Sequence, residues 1–131
     1  MPEGHTIHRA ARDHKKLFVG YKVDVSSPQG RFNNGAKSIS KLECVAVEAY
    51  GKHLLYEFKN DQFLHIHLGL FGRIRRRKLP IEEAKGKVRV RLVGKTHFVD
   101  VNGPTICEIL DEETKSKLID RIGPDLLRKD A

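Results

Sequence analysis

The spacing of apolar positions changes several times along the chain, and each change marks an element. From Glu3 to Phe18 the apolar residues Ile7, Ala10, Ala11, Leu17 and Phe18 recur at helical spacing, with His14 filling the gap in the stripe. This predicts a helix, and Gly20 is a plausible stop. Lys22–Ser26 alternates and predicts a first strand. Ser26–Gly35, rich in Ser, Pro, Gly and Asn and carrying Arg31 and Phe32, reads as a loop. Lys41–Tyr50 and Lys52–Phe58 read as strands meeting at Gly51; Asn60-Asp61 makes a turn into a further strand, Gln62–Leu68. Gly69-Leu70-Phe71-Gly72 interrupts the pattern, and Arg73–Lys78 resumes it. After a polar connection at Pro80–Gly86, Lys87–Val93 and Thr96–Val101 form a hairpin around Gly94-Lys95. Asn102-Gly103-Pro104 breaks the pattern before the short apolar stretch Thr105–Leu110. Asp111–Ile122 predicts a second helix, with Asp111 as N-cap, an apolar face of Leu118, Ile119 and Ile122, and Gly123-Pro124 as its end. The expected fold is mainly β: an antiparallel β-sandwich, or pseudobarrel, flanked by an N-terminal and a C-terminal α-helix.

Composition narrows the class. At 131 residues the chain is long enough for one domain with a real core. Its formal charge of +8, from 25 Lys+Arg against 17 Asp+Glu, favours an anionic partner, nucleic acid before a membrane surface. No apolar run is long enough to span a bilayer, and the N-terminus shows no signal-peptide pattern. Cys44 and Cys107 lie in apolar surroundings and read as buried thiols of a reducing compartment rather than as a disulfide.

Several residues carry candidate chemistry. If Met1 is removed, Pro2 presents a free secondary amine, which titrates near pH 8 against about 10.4 for lysine and can form an iminium with an aldehyde-like carbon. Glu3 beside it is a candidate proton carrier. On these residues alone the simpler reading prevails: a proline and a glutamate in the first turn of a helix. Arg73, Arg75 and Arg77 alternate on one strand, as do Lys87, Arg89 and Arg91 on another, so each strand has a cationic face suited to phosphates or simply to solvent. Leu70-Phe71 between glycines fits a wedge that enters a base stack, or a hairpin turned back into the core. His65 and His67 share one strand face, but no third metal ligand is evident, and a phosphate contact from His67 is the better fit. Lys52, after Gly51, reads in isolation as an exposed strand lysine.

Taken together, four segments resemble the formamidopyrimidine-DNA glycosylase and endonuclease VIII family. They are Met1-Pro2-Glu3-Gly4, Tyr50-Gly51-Lys52-His53-Leu54-Leu55, His67-Leu68-Gly69-Leu70-Phe71-Gly72 and Arg121-Ile122-Gly123-Pro124-Asp125-Leu126-Leu127, in the family's order and spanning nearly the whole chain. The Met-Pro-Glu-Gly-His opening leans toward the endonuclease VIII side. The resemblance implies a bifunctional DNA glycosylase and abasic-site lyase acting on oxidised bases. In it Pro2 matches the nucleophile, Glu3 the acid/base residue and Lys52 the lysine that contacts phosphate and assists proton transfer. His67 matches a backbone-phosphate contact, Leu70 the wedge and Phe71 its helper; Arg31, Arg73 and Arg75 are DNA-binding candidates on their charge. A glutamate found in members with the formamidopyrimidine preference is replaced by Thr6, and no Arg-Phe wedge pair stands near Asp100–Pro104, so oxidised pyrimidines are the expected substrates.

On this reading residues 1–125 form the family's N-terminal catalytic domain and 126–131 begin an interdomain linker. The helix–two-turns–helix and zinc-finger elements of the family have no counterpart in the chain, so no cofactor is expected within it. The expected partner is damaged DNA, duplex or single-stranded, met by a monomer in the cytoplasm or nucleoid and without a membrane. A non-catalytic DNA-binding fragment is the alternative.

Overall fold

The computed structural model describes residues 4–122. Pro2, Glu3, the Gly123-Pro124 stop and the proposed linker lie outside the described residues. The order of elements is α1 (Gly4–Phe18), β1 (Lys22–Ser26), α2 (Asn33–Ile39), β2 (Leu42–Tyr50), β3 (His53–Phe58), β4 (Gln62–His67), β5 (Arg73–Lys78), β6 (Val88–Val93), β7 (His97–Asn102), β8 (Ile106–Leu110) and α3 (Glu112–Ile122).

The eight strands form one antiparallel sheet in the order β5-β7-β6-β1-β2-β3-β4-β8, not closed into a barrel. β1 is the corner. Its first two residues pair with β2, Lys22 with Glu43 and Val23 with Leu42, whereas Asp24, Val25 and Ser26 pair with Val93, Leu92 and Arg91 of β6. A strand that changes partner half-way along its length lets the sheet fold over on itself. Val47, Leu54, Tyr56, Leu64 and Ile66 from one half therefore share a single core with Val90, Leu92, Val99 and Val101 from the other. The expected sandwich is this folded sheet.

α1 closes that core with Ile7, Ala11, His14 and Phe18, a seam at i, i+4, i+7 and i+11. His14 completes the stripe because its Nδ1 shares a 2.7 Å hydrogen bond with the buried Tyr56 hydroxyl. Burial lowers its pKa to about 4, so it is neutral in the core at pH 7. Gly20 ends the helix region at φ 93°, a left-handed conformation open to glycine. α3 packs on the opposite face of the sheet, where Leu118 joins Tyr50, Leu55 and Phe63 in a second, smaller core. Asp111 caps this helix as expected. Its Oδ1 accepts the Thr114 N–H at 2.8 Å, while its own N–H donates to Thr114 Oγ1 at 2.9 Å. The Thr114 N–H and hydroxyl, both donating to Oδ1, hold its carboxyl below the usual range.

Two expectations change. The loop read at Ser26–Gly35 gives way at Asn33 to α2, which buries Ala36 and Ile39. The second cationic strand face is also corrected. Arg91 of β6 is buried, with Nε and Nη2 donating to the two Asp100 oxygens at 2.7 and 2.9 Å, so it faces a carboxylate and not a phosphate. Its guanidinium also lies over the Phe98 ring, 4.8 Å from the centroid.

Candidate functional site

Two short turns set the site at one end of the sheet. Between β2 and β3 only Gly51 and Lys52 separate the paired residues Tyr50 and His53. Gly51 takes φ 63°, the positive value that a tight hairpin turn with glycine in its first central position requires. Lys52 thus sits on the turn rather than inside the strand, as the sequence had suggested, and is exposed. His67, the last residue of β4, reaches the same turn: its Nδ1–H donates to the Lys52 carbonyl at 3.3 Å. That bond fixes Nδ1 as the donor atom and leaves Nε2 available to a ligand.

The second turn follows β4. Leu68 is buried and anchors it; the Gly72 N–H donates to the Leu68 carbonyl at 3.1 Å. Gly69 adopts φ 70° directly against Thr105, leaving no room for a side chain. The loop is held on both flanks, and its tip projects: Leu70 is 53% exposed and Phe71 82%. Phe71 is the most exposed large apolar side chain among the described residues. The hairpin turned into the core is excluded.

Beside this tip a groove of about 550 Å³ runs between α1 and β5. Thr6, Arg9 and Asp13 line it from the helix, and Leu70, Phe71 and Arg73 from the opposite side. Arg76 crosses it to pair with Asp13 at 3.1 Å. α1 begins at Gly4 and its early residues Thr6 and Ile7 face the groove, so this helix start stands beside the loop tip.

Arg73, Arg75 and Arg77 fall opposite Asn102, Asp100 and Phe98 of β7 and therefore share one face of β5, as the alternation predicted. Arg73 and Arg75 are exposed, and neither has an ion-pair partner among the described residues; Arg77 pairs with Glu82 at 3.7 Å. Arg31 is exposed in the turn before α2. Neither cysteine offers a nucleophile: burial pushes both thiols up to about 12. Among the described residues no three His, Cys, Asp or Glu side chains are placed to hold a metal ion.

Sequence reasoning missed the surroundings of His67. His53 stacks on it at 4.4 Å between ring centroids, and His53 Nδ1 lies 2.9 Å from His65 Nε2. The hairpin of β3 and β4, whose register runs from Phe58↔Gln62 at the turn of residues 59–61 back to His53↔His67, was the available signal.

Comparison with known proteins bears on this arrangement. The pattern for the formamidopyrimidine-DNA glycosylase N-terminal domain matches residues 1–107. Proteins named Endonuclease 8 1 from Mycobacterium bovis and Mycobacterium tuberculosis are 42% identical to it over 135 aligned residues, covering all of this chain and 50% of each relative. The chain thus spans about half the length of the curated relatives it matches. The structure of Lactococcus lactis formamidopyrimidine-DNA glycosylase non-covalently bound to DNA containing an AP site superposes with a TM-score of 0.77 at 18% identity, over 92% of this chain and 48% of that one. MutM in complex with DNA containing carbocyclic 8-oxo-G gives 0.77 at 18%, over 92% and 49%. At such identity these two speak for the fold, which is the same folded sheet. Matched over residues 1–107 by the family pattern and along its whole length by the mycobacterial relatives, the chain belongs to the formamidopyrimidine-DNA glycosylase N-terminal domain family.

Proposed function

We propose that this chain is the catalytic domain of a base-excision-repair DNA glycosylase that also cleaves abasic sites and acts on oxidised bases. The observation that carries the reading is the exposed Leu70–Phe71 tip, pinned between glycines beside the Lys52–His67 turn and the groove under α1. An apolar tip next to a cationic turn suits a damaged duplex. The turn takes a phosphate, and the tip fills the space left when a nucleotide leaves the stack, offsetting part of an unstacking cost of a few kcal/mol.

The chemistry belongs to Pro2 and Glu3. With Met1 removed, the Pro2 nitrogen lone pair attacks C1′ as the bond from C1′ to the base breaks, and the base departs with a proton. The nitrogen then loses its proton, and its lone pair opens the sugar ring: the C1′–O4′ bond breaks, O4′ takes up a proton, and the iminium that remains makes the C2′ proton acidic. Its loss expels the 3′ phosphate, and a second elimination expels the 5′ phosphate, leaving a gap with phosphate ends. Glu3 carries protons at the sugar, and Lys52 and His67 hold the backbone. Arg31, Arg73 and Arg75 add contacts to the flanking phosphates. Thr6, which lines the groove, supports oxidised pyrimidines as the substrates.

Borohydride trapping with an oligonucleotide containing an abasic site, read by intact mass, tests this. A covalent adduct on a chain lacking Met1, much reduced in Pro2→Gly, is expected; equal capture by that variant points to another amine. The chain matches half the length of its relatives, which favours one second reading: a DNA-binding half whose chemistry needs the other half. Binding without any adduct, on a chain shown to start at Pro2, supports that alternative. Leu70→Ala is expected to weaken binding to a lesion-containing duplex more than to a single strand, and an equal loss on both would remove the wedge.

A further inference from the structure

One cluster of titratable side chains has no part in the reading so far. His53, His65 and Glu108 come from three neighbouring strands, β3, β4 and β8. Register puts His53 directly opposite His67, and His65 directly opposite Glu108. His65 is fully buried, and its Nδ1 lies 2.8 Å from Glu108 Oε2. A carboxylate only accepts, so His65 carries its proton on Nδ1. In a neutral imidazole Nε2 is then the acceptor, and His53 Nδ1–H donates to it at 2.9 Å. The chain of bonds runs one way, from His53 to His65 to Glu108. It fixes the His53 ring, which stacks on His67 at 4.4 Å with 14° between the planes. His67 in turn holds the Lys52 carbonyl.

We propose that Glu108, His65 and His53 are positioning residues that orient the His67 ring and the Lys52 turn for gripping a DNA phosphate, an inference that rests on the functional reading above. A phosphate oxygen only accepts, so His67 must present a proton on Nε2 while Nδ1–H stays on the Lys52 carbonyl. The ring in contact with phosphate is therefore cationic, and a charged ring stacked beneath it would repel it. His53 is suited to that place because burial, with His67, His65 and Arg121 nearby, lowers its pKa to about 4. Burial also keeps His65 low despite Glu108, which preserves the direction of the chain.

The test is binding of the 131-residue chain to a duplex carrying a tetrahydrofuran abasic-site analogue, measured across a range of salt concentrations. His53→Ala is expected to weaken binding about tenfold, the size of one lost charge-assisted contact. It should also reduce the slope of log affinity against log salt by about 0.9, the signature of one lost phosphate. His67→Ala should give the same two changes, and His53→Ala added to His67→Ala should change nothing further. His53→Phe restores a stacking ring and is expected to recover most of the affinity; recovery no better than with alanine overturns the stacked-platform role. His65→Leu, which removes the acceptor for His53 but keeps the volume, should act like His53→Ala, with folding of every variant checked by thermal melting. Additive losses for His53 and His67, or an unchanged salt slope in His53→Ala, overturn the inference while the functional reading stands. Failure of the unmutated chain to bind the duplex overturns both.

Discussion

β5 and β6 look alike in sequence, each with basic residues at alternate positions, and the structure treats them in opposite ways. β6 is an interior strand between β1 and β7. Its Arg91 lies opposite Asp100 and beside Phe98, under the segment that carries Glu82 and Lys85, and its charge is spent inside the protein. β5 is at the edge of the sheet, bonded only to β7 among the described residues, and its Arg73 and Arg75 stay in water. Asp100 sits between the two strands, with Arg75 opposite it on one side and Arg91 on the other. Only Arg91 makes the two-point contact. The lesson is that a cationic stripe becomes a binding face where the sheet ends, and an internal brace where the sheet continues. An arginine-rich edge also discourages pairing with another sheet.

The contrast breaks most sharply at Arg91. Arg91→Met keeps much of the stem but leaves Asp100, itself almost buried, without its partner, at an expected cost of about 3 kcal/mol in urea unfolding. Arg91→Lys is expected to recover only part of this, because an ammonium cannot meet both oxygens in the guanidinium geometry. A loss under about 0.5 kcal/mol, the range of ordinary surface changes, would mean that Arg91 is no brace.

How much of this was legible can be argued from the same strands. Lys22–Ser26 and Arg73–Lys78 were bounded by sequence alone, because alternation and flanking breakers are local signals. The Arg91–Asp100 pair was not. Its hairpin has a loop of three residues, Gly94–Thr96, which leaves register open where a two-residue loop would set it. The Gly51-Lys52 turn did set register, pairing Tyr50 with His53. α2 was missed because Asn33, Asn34, Gly35 and Ser38 are poor helix formers, yet Phe32, Ala36 and Ile39 are all buried at helical spacing, and that signal was available. The link from His65 to Glu108 spans 43 residues and exists only through the pairing of β4 with β8, so no local pattern announces it.

Protons extend the comparison from arginines to histidines. His14 is the internal case, neutral beside Tyr56, with a folded pKa of about 4 against 6.5 for the free side chain. Between these values the unfolded chain takes up a proton that the folded chain refuses. Stability due to this group is therefore complete above pH 6.5, falls as pH drops toward 4, and then levels off. The integrated loss is about 3 kcal/mol. His53 loses stability in the same direction and window, by less because it is only half-buried. His14→Gln can keep a hydrogen bond to Tyr56 but cannot titrate. It should be less stable than the parent at pH 7 and close the gap as pH falls from 6.5 to 4, as urea unfolding at matched ionic strength would reveal. A constant gap would mean that His14 is protonated in the folded core.

The edge strand gives the smallest effect on stability and the clearest on binding. Replacing Arg73 and Arg75 together by alanine removes two exposed charges that have no ion-pair partner among the described residues, so unfolding should move by no more than about 0.5 kcal/mol. If this face meets a nucleic-acid backbone, the slope of log affinity against log salt should fall by about 1.8 on a duplex, about 0.9 for each phosphate released. The change should be nearly the same on undamaged and lesion-containing duplexes, because arginines on phosphates position the backbone without reading the base. Leu70→Ala should do the reverse, discriminating between the two duplexes while leaving the salt slope alone. An unchanged slope in the double arginine variant would reduce β5 to a solvated edge, and the phosphate grip would then fall to His67, at the other end of the same loop, and to Lys52 on the turn that His67 holds.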